Sequence, residues 1–408
     1  MSSTSSGFSA RLLVIRTPGD AERALRRIKV DASGIGMMMP KMNIRCVHLS
    51  GLQCRQANIL KQEMLSLGGD AAVARGVVAC SIKETDVILI GTDKQLHKLC
   101  GKLTLQPFGL PALAAELQSV LTNAVATPKF WRTAHRELSL ARPLIMGILN
   151  VTPNSFSDGN CFLDPERAVE RAFEMAGQGA DIIDIGGEST RPGATPVDSA
   201  EELGRVMTVL HKLVGKIPCA ISIDTWKSSV ACAALAAGAD IINDISGFTF
   251  DPEMAALAAG TGAGAVLMHT RGRPDNMQQN TSYTDLMTEV IQGLGNSVRT
   301  AVEAGVERER LVVDPGIGFG KDSNGNLEIL RRLRECTGMG LPVLIGTSRK
   351  AFIGKTLSRD INERIYGTAA TVALAVANGA SILRVHDVLE MRDVAYMAHA
   401  IVNGNYEL

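Results

Sequence analysis

The chain has 408 residues, of which 46% are hydrophobic and 21% charged, and its Lys plus Arg equal its Asp plus Glu at 42 each. That length allows two folded domains, one of them large, and the zero net charge argues against nucleic acid, whose phosphates need a clustered positive field. No apolar run reaches the roughly 18 to 20 residues of a membrane helix, and the polar residues 1–9 lack the basic and apolar regions of a secretory signal, so a cytoplasmic protein with no membrane partner is expected.

Short apolar runs at 12–15, 44–49, 76–81 and 86–91 read as strands, and helical spacing marks 21–28, 56–67 and 111–121. Residues 1–127 are therefore expected to form a small accessory α/β domain. No phosphate loop, metal cluster or nucleophile motif stands in it, and its role is not legible. The run Gly34-Ile35-Gly36-Met37-Met38-Met39-Pro40 reads as a flexible turn beside core methionines. Residues 128–143 read as a linker anchored by Phe130 and Trp131. None of the eight cysteines sits in a C-x-x-C pair. They read as buried or incidental thiols rather than zinc ligands.

From residue 144 the pattern changes. Apolar strands at 144–149, 181–185, 220–223, 241–245, 265–268, 311–313, 343–345 and 382–385 alternate with helices at 165–178, 199–214, 228–237, 252–259, 285–304, 327–336, 361–378 and 388–401. Several helices end in glycine (Gly179, Gly238, Gly305, Gly338, Gly379), which accepts the left-handed geometry that turns the chain into the next strand. Nearly unbroken apolar strands are buried on both faces, as in parallel sheets. The expected fold is α/β: a (β/α)8 TIM barrel over 144–408 with the small N-terminal α/β domain added. A doubly wound open sheet is disfavoured by the even strand count and by the lack of G-x-G-x-x-G after the first strand.

Each strand ends in polar residues: in order Asn150, Glu188, Asp224, Asn243 with Asp244, His269, Asp314, Ser348 and His386. In a barrel those ends form one ring, the usual place of an active site. Asp224, Asn243 and Asp314 offer partners to a flat heterocycle bearing ring N–H and amino donors; internal salt bridges are the alternative. Arg191, Lys350, Arg384 and His386 lie at the same rim, and like charges converge there most readily around an anion such as a diphosphate. Long connections at 154–159 and 188–193 suggest segments that shield a reaction from water. The run 314–321, DPGIGFGK, lacks the Walker pattern. Its glycines suit a ring lying close to the backbone.

Taken together, PLIMGILNVTPNSFSDG at 143–159, DIIDIGGESTRPG at 181–193, ISIDTWK at 221–227, INDISG at 242–247, DPGIGFGK, GTSRK at 346–350 and RVHDV at 384–388 resemble dihydropteroate synthase. The resemblance covers about 144–402. It implies a transferase of folate biosynthesis that joins 6-hydroxymethyl-7,8-dihydropterin diphosphate to 4-aminobenzoate. It further implies that Asp224, Asn243, Asp314 and Lys350 hold the pterin, with Met268 and Phe319 lining its pocket. Asn150 would coordinate Mg2+, and Arg384 and His386 would bind diphosphate. Thr190 and Arg191 would lie beside both substrates, Ser348 at the aminobenzoate carboxylate, and Phe156 and Pro192 as walls. A homodimer is expected by the same analogy. Arg273, in the fifth-strand segment, departs from the family pattern and is expected to face solvent. The rival readings are a methyltetrahydrofolate-binding corrinoid methyltransferase barrel, which needs no diphosphate site, and a non-catalytic pterin binder.

Overall fold

The computed structural model describes residues 9–126, 128–152, 165–191 and 193–404. The chain divides into two units, Met1–Ala126 and Thr127–Leu408. In the first, helices α1 Pro18–Arg27 and α2 Ala32–Met42 precede strand β1 Ile44–Gln53, helix α3 Cys54–Ser66 and strands β2 Asp70–Val73 and β3 Glu84–Thr92. Helices α4 Asp93–Leu103 and α5 Leu110–Asn123 complete it. The three strands form an antiparallel sheet in the order β1-β3-β2. Residues of β3 alternate exposed and buried, as period-2 side chains must when one face is covered. The buried face packs Val87 and Leu89 with Leu60, Met64, Leu96 and Leu117 from the helices.

Several local expectations for this unit fail. Residues 12–15 form no strand, and 76–81 hold the end of a short 3-10 turn and a further turn. The glycine- and methionine-rich run is helical: Asp31 caps α2 by accepting from the Gly34 N–H at 2.9 Å, and Pro40 lies in the last turns. A proline there removes one internal bond near an end that frays anyway. Helix α4 went unread, although Thr92 and Gln95 form a reciprocal capping box at its start.

The second unit begins with a hairpin, β4 Phe130–Arg132 and β5 Glu137–Ser139. Eight parallel strands follow: β6 Leu144–Asn150, β7 Ile182–Gly186, β8 Ala220–Asp224, β9 Ile241–Asp244, β10 Gly264–Met268, β11 Leu311–Asp314, β12 Leu344–Ile345 and β13 Ile382–Val385. They pair in the order β11-β10-β9-β8-β7-β6-β13-β12. A parallel bridge between Val313 and Val343 brings the two ends of that order together. The connections carry α6 Pro165–Gly177, α7 Ser199–Leu213, α8 Ser228–Ala236, α9 Met254–Thr261, α10 Leu286–Glu303, α11 Ser323–Arg332, α12 Ala351–Leu357, α13 Ile365–Ala377 and α14 Val388–Asn403. Strand positions match the expectation to within a residue or two. Helix α12 was not foreseen, and the turn into β12 is made by Gly340, in the left-handed region, rather than by Gly338.

Residues 128–143 are more than a linker. Trp131 is fully buried among Leu144, Ile182, Ala220, Ile241, Val312 and Ile382, the apolar layer inside the barrel. Its indole N–H donates to the Arg310 carbonyl at 3.0 Å, which satisfies the one polar group a buried indole carries. The hairpin thus closes the barrel floor at the N-terminal ends of the strands. Trp131→Ala should destabilise the second unit by about 3 to 5 kcal/mol through the cavity it leaves. Chemical denaturation followed on barrel-specific amides checks this, and a loss below about 1 kcal/mol would deny the hairpin that role.

Candidate active site

Alternation along each strand decides which polar side chains enter the barrel. Two residues beyond the interior apolar layer of Ile182, Ala220, Ile241, Val312, Leu344 and Ile382 stand Asp184, Ser222, Asn243, Asp314, Gly346 and Arg384. One further step of two gives Gly186, Asp224, Ser348 and His386, with Asn150 and Met268 on the same parity of their own strands. The register agrees, since Asn150 pairs with Gly186, Gly186 with Asp224, and Asp224 with Asn243. The expected ring is therefore largely real.

Its centre is an ion cluster. The Arg384 Nε donates to Asp184 Oδ2 at 2.6 Å, and its Nη2 donates to Asp224 Oδ2 at 2.6 Å. Asn243 Nδ2 donates to the same Asp184 oxygen at 3.0 Å. Asp184 is fully buried and Asp224 is 6% exposed. The Oδ1 atoms of both carboxylates have no hydrogen-bond partner among the described residues. Burial pushes Asp224 up to about 7 against the opposing pull of Arg384. Asp314 is also raised by burial; Lys350 opposes the shift, as does the Gly316 N–H that donates to Asp314 Oδ1 at 2.7 Å.

The glycine-rich loop after β11 is held from several sides. Lys321, only 2% exposed, donates to the carbonyls of His269 at 3.2 Å and Phe319 at 2.8 Å, and lies 3.1 Å from His269 Nδ1. Asn326 accepts from the Gly318 N–H at 2.6 Å, and Tyr283 donates to the Gly320 carbonyl at 2.9 Å. Gly316 has φ of +73°, and a Cβ there would fall 1.9 Å from the His269 carbonyl oxygen, so no other residue fits. Lys350 donates to the Ile317 carbonyl, and its Nζ lies 4.8 Å from the centre of the Phe319 ring. Burial pulls the Lys350 ammonium down to about 8, with Asp314 opposing. Met268 is buried at the end of β10, and its backbone pairs with that of Asp314.

In the neighbouring loops after β12 and β13, the Ser348 hydroxyl accepts from the His386 N–H at 3.1 Å and lies 2.9 Å from its Nδ1. Arg349, between Ser348 and Lys350, has φ of +56° and turns outward. Its Nε donates to Asp387 Oδ2 at 3.0 Å and its Nη2 to Asp387 Oδ1, tying the loop after β12 to the loop after β13. Burial, with Arg384 and Arg349 adding to it, pulls His386 down to about 3.

The structure corrects part of the expected ring. Asp244 has the outward parity and accepts from the N–H groups of Ser246 and Phe248 at 2.7 and 2.9 Å. His269 is held by Lys321, and Glu188 pairs with Lys227 at 2.7 Å. These three serve structure. The premise of converging like charges also fails: two carboxylates share Arg384, and His386 is neutral near pH 7. Arg191 lies exposed, and Thr190 half-buried, on the loop after β7. Arg273 is exposed but stacks on Phe250 and Trp226, at 4.4 and 4.9 Å from the ring centres. Phe156 and Pro192 lie outside the described residues. Asp184 was missed, although an acid in the middle of an apolar strand is itself a signal; Lys321 was quoted in its motif without a role.

Asn150 is half-buried at the end of β6. A Cβ built on Gly186 would lie 3.6 Å from both Asn150 Oδ1 and Asp224 Oδ2, so both oxygens border the same point beside β7. No group of three or more His, Cys, Asp or Glu able to hold a metal occurs among the described residues. A hard cation held there would need ligands beyond these side chains.

Residues 146–386 match the family described as pterin binding enzyme. A Halobacterium salinarum protein, described as a probable bifunctional folylpolyglutamate synthase/dihydropteroate synthase, is 43% identical over 385 residues, which cover 94% of this chain and 46% of that protein. The chain thus spans about half the length of that relative. A dihydropteroate synthase of Synechocystis sp. is 48% identical over 261 residues, covering 64% of this chain and 90% of the relative. The Xanthomonas albilineans dihydropteroate synthase, solved with 4-aminobenzoic acid, superposes with a TM-score of 0.64 at 41% identity over 67% of this chain and 98% of that one.

Between about pH 4 and 7 the unfolded Asp224 gives up its proton while the folded carboxyl keeps it. Its contribution to stability therefore falls as pH rises through that window. The stability of Asp224→Asn relative to the parent should rise with pH there, by up to about 1.4 kcal/mol per pH unit, and then level off. Paired denaturation curves across pH 4 to 8 check this, and a pH-independent difference would place the titration elsewhere.

Proposed function

The chain belongs to the pterin binding enzyme family, and from that membership we propose that it is a dihydropteroate synthase, joining 6-hydroxymethyl-7,8-dihydropterin diphosphate to 4-aminobenzoate with release of diphosphate. The observation that carries this reading is the Asp224 carboxyl, buried at the barrel mouth with one oxygen on Arg384 and the other without a partner among the described residues. A pterin edge carries ring N–H and amino donors, and a buried acceptor without a donor is costly until a ligand supplies one. Asn243 and Asp314 extend that edge, with Met268 and Phe319 beside it.

The chemistry assigned to these residues is a substitution at the pterin methylene carbon. Its C–O bond to diphosphate breaks as a C–N bond to the arylamine forms, and the amine loses a proton. Asp224 and Asp314 stabilise positive charge delocalised into the ring. Arg384 keeps its Nη1 for the leaving diphosphate, together with Arg191 and His386. Neutral His386 donates one N–H to an anion rather than a full charge. Lys350, still cationic at pH 7, lies over the Phe319 ring, and in this reading it would stand between the pterin edge and the aminobenzoate. Ser348 acts through His386, whose ring it orients, as well as at the aminobenzoate carboxylate. Asn150 would hold Mg2+ together with diphosphate oxygens and water, and the ion would supply Lewis-acid stabilisation to the leaving group. The protein nucleophile that a covalent mechanism needs is not required here.

Two companion assignments complete the proposal. Tyr366, Leu374, Met397 and Ile401 are exposed on α13 and α14, which suits a homodimer through those helices. No helix is long and apolar enough to cross a membrane among the described residues, and a cytoplasmic location is retained as part of the same reading.

Purified protein should release diphosphate only when the pterin diphosphate, 4-aminobenzoate and Mg2+ are all present. Pterin binding without diphosphate release would instead favour the methyltransferase-type or non-catalytic readings. In calorimetry, Asp224→Ala should weaken pterin binding by about 10- to 100-fold. The parent's pterin affinity should fall as pH drops below about 7, where a proton on Asp224 competes with the ligand's donors. Unchanged affinity in both experiments would remove Asp224 from the site.

A further inference from the structure

Residues 187–198 join β7 to α7 and carry Thr190 and Arg191. Both ends of that connection meet one buried cation. Lys227, 7% exposed just after β8, donates to Glu188 Oε2 at 2.7 Å and to the Val197 carbonyl at 2.5 Å. Glu188 closes the same neck from its own side, since its Oε1 accepts from the Val197 N–H at 3.2 Å. A third bond from Lys227 reaches Glu202 Oε2 at 2.6 Å, in the first turns of α7, where Glu202 is fully buried. The Gly187 carbonyl accepts from Arg205 of the same helix at 2.8 Å.

We propose that Lys227 is a positioning residue: it cinches the neck of the connection between β7 and α7 and so sets where Thr190 and Arg191 stand at the barrel mouth. The inference rests on the synthase reading for what those two residues meet. The neck geometry stands without it.

Three physical points support the proposal. Burying an ammonium with two carboxylates is a poor route to bulk stability, because desolvation offsets much of the attraction. Such an arrangement earns its place when it fixes geometry, and here two of its three bonds join the ends of one loop. Tying the neck also shortens the free segment to the residues between Glu188 and Val197, which lowers the entropy lost when the tip is ordered against a ligand. Beyond the neck, the tethers among the described residues are backbone ones: the Gly193 N–H donates to the Pro274 carbonyl at 3.0 Å and the Ala194 N–H to the Arg191 carbonyl at 3.0 Å. The side-chain bonds to Lys227, Glu188 and Arg205 all fall at the neck.

The test uses the full chain with Lys227→Met and Glu188→Gln. Glu188→Gln leaves Lys227 bonded to Glu202 and Val197, so it keeps a folded barrel if the methionine variant does not. Amide hydrogen exchange over 189–197 should quicken by about tenfold or more, while amides of β7 and β8 stay as in the parent. In steady state with pterin diphosphate, Mg2+ and 4-aminobenzoate, KM for 4-aminobenzoate should rise about tenfold, with kcat and calorimetric pterin affinity changed less than about threefold. Unchanged loop exchange in every variant that folds, or equal quickening across the whole barrel, would overturn the proposal. So would a fall in kcat and pterin affinity with KM unaltered. If the parent releases no diphosphate, the synthase reading fails, and the exchange measurement alone decides the clamp.

Discussion

A single guanidinium organises the barrel mouth. Arg384 reaches from β13 to Asp184 on β7 and Asp224 on β8, so one cation ties together acids whose strands are separated from its own by β6. Both acids are nearly or fully buried, and a buried carboxylate is tolerable only when paired or protonated. The arrangement has two acids to one guanidinium, and burial holds Asp224 near neutrality. A ligand bringing N–H donors to the free oxygen would satisfy an acceptor that has no partner among the described residues.

Around that cluster, the elements that meet substrate in the proposed reaction are held in place by further side-chain bonds. Lys321 fixes the glycine-rich loop through backbone carbonyls. Ser348 orients the His386 ring. Arg349 spans to Asp387 and lets its two neighbours, Ser348 and Lys350, face the cavity while it turns away. Lys227 grips the neck of the loop after β7. Preorganisation of this kind removes reorganisation from the reaction step. It also explains why so many charged side chains are buried near the mouth of a protein with no net charge.

The two units were unequally legible. The barrel's strands could be placed closely because each is an apolar run bounded by polar residues, and their parallel order follows from the alternation with helices. In the first unit the signals were weaker. Residues 12–15 and 76–81 have strand-like composition but no partner strand, and composition cannot say whether a partner exists. The run 34–40 carries two glycines and a proline, yet Asp31 capping and the packing of Ile35 suffice to make it helical. Residues 128–143 read as a linker because only the closed barrel offers the floor that Trp131 fills.

By itself the sequence determined the barrel, the ring of polar residues at the strand ends and the resemblance that those motifs carry, since period-2 and period-3.6 patterns and short motifs are local properties of the chain. Alternation along each strand separates inward from outward ring members, but only tertiary structure decided what each one meets. Parity turned Asp244 and His269 outward, added Asp184, and gave Arg384 two carboxylates instead of an open anion site. The reason is that charge balance in a buried site depends on distances across the barrel, between residues some 160 to 200 positions apart, and no local pattern encodes those distances.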